Sequence, residues 1–121
     1  MNLKPFEKQQ YLSIETFRKS GVGVKTPVWF VEEGETLYVR TDAQSGKAKR
    51  IINTPRVTIA PCDRAGVLLG EPMEAAAHIV SQDSRAAADA ALAGKYGEQK
   101  LGFDARLTDS NDRAYIVISA V

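Results

Sequence analysis

YVRTDAQSGKAKRIINTPR, residues 38–56, is the stretch from which the rest of the chain can be read. Leu37 to Thr41 has the β-branched and aromatic content of a strand. Asp42, Ala43 and Gln44 form a polar loop. A short helix then runs from Ser45 to about Asn53. The Ser45 hydroxyl can accept a hydrogen bond from a free backbone N–H of the first turn. Asn53, Thr54 and Pro55 stop the helix, because Asn tolerates the left-handed conformation and proline cannot continue. Lys47, Lys49 and Arg50 crowd the helix start, and no Asp or Glu offsets them. That end of a helix carries partial positive charge, so each exposed cation there costs ~0.3–1 kcal/mol. A bound anion reverses the sign. Free N–H groups, a glycine (Gly46) that admits a ligand, a hydroxyl and several cations together make a phosphate cradle. The other reading is a solvated basic turn that tolerates the repulsion. On these residues alone both stand. Lys49 and Arg50 diverge by about a quarter turn, so they need not reach the same anion.

Upstream, Tyr11 to Phe17 alternates with period two, Leu12, Ile14 and Thr16 on one face, and predicts a strand. Lys19 to Gly23 predicts a hairpin turn. Val24 to Glu32 is the next strand, rich in Val, Thr, Trp and Phe. Pro27 cannot donate to a ladder, which places this part of the strand at an edge or a bulge. Glu33 to Glu35 turns the chain into the strand of the opening stretch. In the short helix, Ala48, Ile51 and Ile52 share one side and are expected to pack on a sheet.

Downstream, Arg56 to Cys62 and Met73 to Val80 predict two more strands. The second is rich in alanine, which leaves room on one face for a neighbouring helix. Ser81 to Tyr96 predicts a helix capped by Asp83 or Ser84 and ended by Gly94 or Gly97. Its expected apolar face is Ala86, Ala87, Ala90, Ala91 and Leu92. Residues 98–113 are polar and irregular, and Ala114 to Val121 is a last strand. Residues 1–9 read as an arm or one helical turn. Six or so strands, one short helix and one longer helix predict a mostly β fold. The expected form is an antiparallel sheet curled into a small barrel with both helices outside it, in one domain over residues 1–121.

The chain has 121 residues, 44% hydrophobic and 26% charged, with a net charge of +1. A near-neutral chain has no overall field for nucleic acid or an anionic membrane, so any anion recognition is local. Cys62 is the only cysteine, which excludes an internal disulfide and fits a reducing, cytoplasmic setting. No apolar run approaches the roughly 20 residues that cross a bilayer, and Met1 to Pro5 lacks a signal-peptide core.

The order of elements and residues 38–57 resemble the split barrels of the pyridoxamine phosphate oxidase-like family. That family's signature is a strand ending in a hydroxyl residue, then Ser-x-Lys, an isoleucine or leucine, and Asn-x-Pro-Arg-Val. Here it reads Arg40, Thr41, then Ser45, Gly46, Lys47, then Ile51, then Asn53, Thr54, Pro55, Arg56, Val57. Thr26, Pro27, Val28, Trp29 and Phe30 look like the family's strand beside the cofactor ring. The resemblance implies FMN or the deazaflavin coenzyme F420, with F420 slightly favoured by the Trp-Phe strand and the compact length. The cofactor phosphate would lie on Thr41, Ser45 and Lys47, with Lys49 or Arg50 nearby and Arg40 beside them. The ring would rest on residues 26–30. The resemblance also implies a homodimer with the cofactor at the interface. The oxidase itself carries basic residues where Thr26 and Gly46 stand, and its C-terminal substrate segment has no match here. Pyridoxamine phosphate oxidation itself is therefore not expected.

The expected function is an oxidoreductase that passes a hydride between the bound cofactor and a small organic substrate. The alternative is a non-catalytic carrier of the same cofactor. A third reading, a single-strand nucleic-acid barrel using Lys47, Lys49, Arg50 and Arg56, fits poorly because the aromatics are not clustered near those residues. Trp29 either stacks near the ring or sits in a core or subunit contact. His78, the only histidine, has no partners at metal-ligand spacing, and nothing orients it as a catalytic base. Cys62 reads as a small buried hydrophobe. No catalytic acid or base and no metal ligand is assigned.

Overall fold

The computed structural model describes residues 3–42, 45–80, 85–97 and 113–120. Six antiparallel strands close into a barrel: β1 (Tyr11–Phe17), β2 (Gly23–Glu33), β3 (Thr36–Asp42), β4 (Arg56–Cys62), β5 (Met73–Ile79) and β6 (Arg113–Ser119). Their order around the barrel is β1-β2-β3-β6-β5-β4, with β4 closing on β1. Two α-helices, α1 (Gly46–Asn53) and α2 (Arg85–Tyr96), and a single 3-10 turn at Lys4–Phe6 complete the described elements. The mostly β barrel is as the sequence predicts. The expected caps Asp83 and Ser84, the loop residues Ala43 and Gln44, and residues 98–112 lie outside the described residues.

The neighbours of β3 and β4 are not each other. β3 pairs with β2 and β6, and β4 with β1 and β5. The connection between them therefore crosses the end of the barrel, and α1 makes that crossing, touching β1, β3 and β5 on its way. Of the two expected flanking helices, α1 thus lies against the barrel's end. Ile51 of α1 drops into the barrel interior with Leu12, Ile14, Val39 and Ile59. Ala75 and Ala77 of β5 join the same cluster, so the alanine-rich face does make room for a helix, at the barrel's end. The expected third member of the α1 face, Ile52, is 70% exposed. At about 100° per residue it is carried past the interface that Ala48 and Ile51 define. At the other end Leu3 and Phe6 seal the interior, with Phe6 edge-on to Phe30 at 5.9 Å.

α2 packs on the outside of the barrel through Ala88, Leu92 and Tyr96, over Val31, Val80 and Tyr115. This i, i+4, i+8 stripe corrects the expected face. Ala86, Ala87 and Ala90 are exposed and Ala91 is only partly buried. Alanines all round a helix give little contrast, so the larger Leu92 and Tyr96 set its rotation. Gly97, at φ +54°, ends the helix, its N–H bonding the Ala93 carbonyl at 2.9 Å, while Gly94 lies within it.

One seam of the barrel stays open. β2 is laddered to β1 along Gly23–Trp29 but to β3 only over Phe30–Glu33. β3 continues along β6 through Arg40, Thr41 and Asp42. The two strands thus part after the Phe30–Val39 pair. Residues 23–29 stand on one side of the split and residues 40–42 on the other.

Candidate functional site at the head of α1

The split ends where α1 begins. Ser45 has extended backbone geometry and its hydroxyl accepts from the Ala48 N–H at 3.2 Å, as an N-cap should. The Thr41 hydroxyl lies 3.4 Å from that of Ser45. In a strand successive side chains alternate, so Thr41 points inward with Val39, toward the helix start, while Arg40 points outward.

Two cations flank this corner. Arg50, one turn into the helix, donates from Nε to the Thr16 hydroxyl at the end of β1, at 2.6 Å. Its fork then folds back beside Gly46, where an added Cβ would lie 2.6 Å from Nη1. Gly46 therefore leaves room that Arg50 uses. Lys47 is partly buried. Burial, and then the nearby Arg50 charge, pull its pKa below the usual lysine range, and Asp42 offsets this only in part. Desolvated positive charge at a helix N-terminus is an unfavourable arrangement that an anion would relieve.

The predicted residues divide accordingly. Thr41, Ser45, Gly46, Lys47 and Arg50 come together. Lys49 is exposed, and what joins it to them is its backbone N–H, which bonds the Ser45 carbonyl at 3.3 Å. Arg40 is 6% exposed and in register with Tyr115 on the outer face, so it is separated from Thr41 by the strand itself. Arg56 lies elsewhere, paired with Glu74 at 2.9 Å and set over the Phe17 ring.

Across the split stand Thr26, Pro27, Val28 and Trp29. Thr26 and Val28 are opposite Ile14 and Leu12 of β1 and face inward with them. Pro27 and Trp29 face outward. The Tyr96 hydroxyl of α2 accepts from the Phe30 N–H at 2.8 Å and can donate to the Phe30 carbonyl at 2.7 Å or the Gln10 carbonyl at 2.8 Å. The backbone of Phe30 therefore points to the β1 side. Backbone groups alternate sides along a strand, so those of Lys25 and Pro27 point into the split. The missing N–H of Pro27 falls where no ladder needs it, which is the edge position predicted from the sequence. Trp29 stacks on the Tyr96 ring at 4.3 Å and 7°.

Thr16 and Tyr96 were not picked out by sequence reasoning. Thr16 offered one signal, a polar residue on the inward, apolar face of β1. Tyr96 offered only its place in the last helical turn. His78 is exposed on β5. Cys62 is buried, as expected of a small hydrophobe, and its thiol is pushed up by burial and by Asp63. Among the described residues there is no metal-binding cluster, and no helix is long and apolar enough to cross a membrane.

Comparisons with known proteins agree with this architecture. The chain is similar to the heme storage protein HutZ from Vibrio cholerae (TM-score 0.75, 19% identity, covering 100% of this chain and 92% of that one). It is also similar to the conserved hypothetical protein Rv2991 from Mycobacterium tuberculosis (TM-score 0.71, 22% identity, 96% and 76% covered). A third similar structure is an F420 reductase (TM-score 0.60, 19% identity, 98% and 92% covered). At these identities the likeness speaks for the fold alone. No curated protein sequence matches the chain. The family model described as pyridoxamine 5'-phosphate oxidase matches residues 2–121. With a match of that extent, the chain belongs to the pyridoxamine 5'-phosphate oxidase family.

Proposed function

We propose that the chain is an oxidoreductase that holds a flavin-type cofactor, FMN or the deazaflavin F420, and passes a hydride between it and a small organic substrate. The observation that carries this reading is the Ser45–Gly46 helix start, with the Arg50 fork folded beside Gly46 and the partly buried, desolvated Lys47 next to it in the first turn. The residues fit a phosphate: two cations, the Thr41 and Ser45 hydroxyls and free helix N–H groups. In this reading the ring lies along the split, with the Lys25 and Pro27 carbonyls on its β2 side. When bound, the cofactor supplies the hydride chemistry. The chain's own residues bind the phosphate, orient the ring and limit water around it. We further propose a homodimer with the cofactor near the subunit contact, which sedimentation with and without cofactor tests.

The test is a titration with FMN and with F420, followed by absorbance. Micromolar binding of one of them supports the reading. Binding of neither at that concentration overturns it.

A second reading is a non-catalytic carrier of the same cofactor. It is favoured by the similarity to a protein named for heme storage. Reduced cofactor incubated with a quinone and enone panel separates the two. Oxidation no faster than without protein supports the carrier.

A further inference from the structure

The strand proposed to carry the ring is supported on one side only. β2 lacks β3 along residues 23–29, and β1 begins at Tyr11, opposite Trp29. Phe30 is therefore the first β2 residue beyond the start of β1. Its N–H and carbonyl point to the place where β1 would continue. The Tyr96 hydroxyl occupies that place, bonding the Phe30 backbone and the Gln10 carbonyl together. The Tyr96 ring lies flat on the Trp29 indole. One side chain thus holds residues 29 and 30 twice, once by backbone and once by ring contact. Thr26 to Val28 extend from that pivot along the split.

We propose that Tyr96 is a positioning residue for the flavin-type ring, fixing the Thr26–Phe30 strand from the side opposite the split; this rests on the reading of the split as the ring's site. The phosphate corner and the ring strand belong to different elements. α1 and β3 set one, and α2 sets the other through Tyr96. Phosphate affinity and ring environment are accordingly separable by mutation.

Tyr96→Phe keeps the ring stacked and removes only the hydroxyl. The experiment compares wild type and Tyr96→Phe by amide hydrogen exchange without ligand and by visible circular dichroism of bound FMN or F420. The Phe30 amide is expected to exchange about tenfold faster or more, with β4–β5 amides unchanged. The dichroism of the bound ring changes, while affinity, set at Lys47, falls by less than about threefold. Trp29→Phe, which keeps the Tyr96 hydroxyl, is expected to change the dichroism and leave Phe30 exchange near wild type. An unchanged ring spectrum in Tyr96→Phe beside normal wild-type binding overturns this inference alone, as does faster exchange spread evenly over the barrel. Failure of the wild type to bind either cofactor overturns the functional reading and the positioning role with it.

Discussion

Arg50 reaches from α1 to the Thr16 hydroxyl at the end of β1, Nε to Oγ1 2.6 Å. The bond ties the helix to the barrel and points the guanidinium toward the first turn of the same helix. Thr16 is fully buried, so its hydroxyl has few other uses. Thr16→Val removes the acceptor at nearly constant volume. The expected cost is roughly 1.5–3 kcal/mol, the range for a bond to a charged donor. Phosphate-dependent affinity should fall as well, because Arg50 loses its aim. A urea titration and a cofactor titration of the variant check both. A loss of stability with affinity intact would show that Arg50 serves the fold alone.

Gly46→Ala separates helix propensity from site geometry. Alanine at this position favours the helix by up to about 1 kcal/mol. Its Cβ, however, would meet Nη1 of Arg50, the movable end of a flexible side chain. Stability is therefore expected to hold or rise slightly while cofactor affinity drops. Thermal unfolding and a binding titration read the two effects independently.

The rotation of α1 predicts a contrast between adjacent isoleucines. Ile51 is buried in the barrel interior and Ile52 is largely exposed. Ile51→Ala should cost about 2–5 kcal/mol through lost burial and an unfilled cavity. Ile52→Ala should stay within about 0.5 kcal/mol in the monomer. Equal costs would mean that α1 is rotated from the position described.

Lys95 gives a pH prediction. Its ammonium lies 3.5 Å above the Phe30 ring, and burial lowers its pKa to about 8, against a weaker opposing effect of Glu32. The folded state then binds this proton less readily than the unfolded chain. Charged Lys95 costs stability below about pH 8, and the cost is relieved as pH rises toward 10.5. The residue is exposed enough for solvent to moderate the effect. Wild type should gain on Lys95→Met across that window in chemical denaturation. A difference that does not vary with pH would contradict the shift.

Much of this was legible because local signals agreed. Ser45 and Pro55 bounded α1, and Pro27 marked the open edge of β2, each through backbone chemistry that does not depend on distant residues; Asn53 stays helical, and the extended Thr54 before Pro55 makes the stop instead of a left-handed Asn. What escaped the sequence was set by tertiary contacts. The crossing of α1 over the barrel end follows from β6 inserting between β3 and β5, a long-range pairing with no local signature. The faces of α1 and α2 were misjudged at Ile52 and at Ala86, Ala87 and Ala90, where composition gives too little contrast to fix rotation. Lys49 and Lys47 look alike in sequence, and only their turn about the helix axis separates them. Thr16 and Tyr96 act through partners 34 and 66 residues away.

In the proposed function Lys47 and its neighbours hold a phosphate. The most direct measurement is the affinity of wild type and Lys47→Ala for the cofactor and for its dephosphorylated form, FMN against riboflavin or the F420 equivalent. Wild type is expected to prefer the phosphorylated form by about tenfold or more, and Lys47→Ala to lose most of that preference. Equal affinity of wild type for the two forms, or a preference untouched in Lys47→Ala, would contradict it.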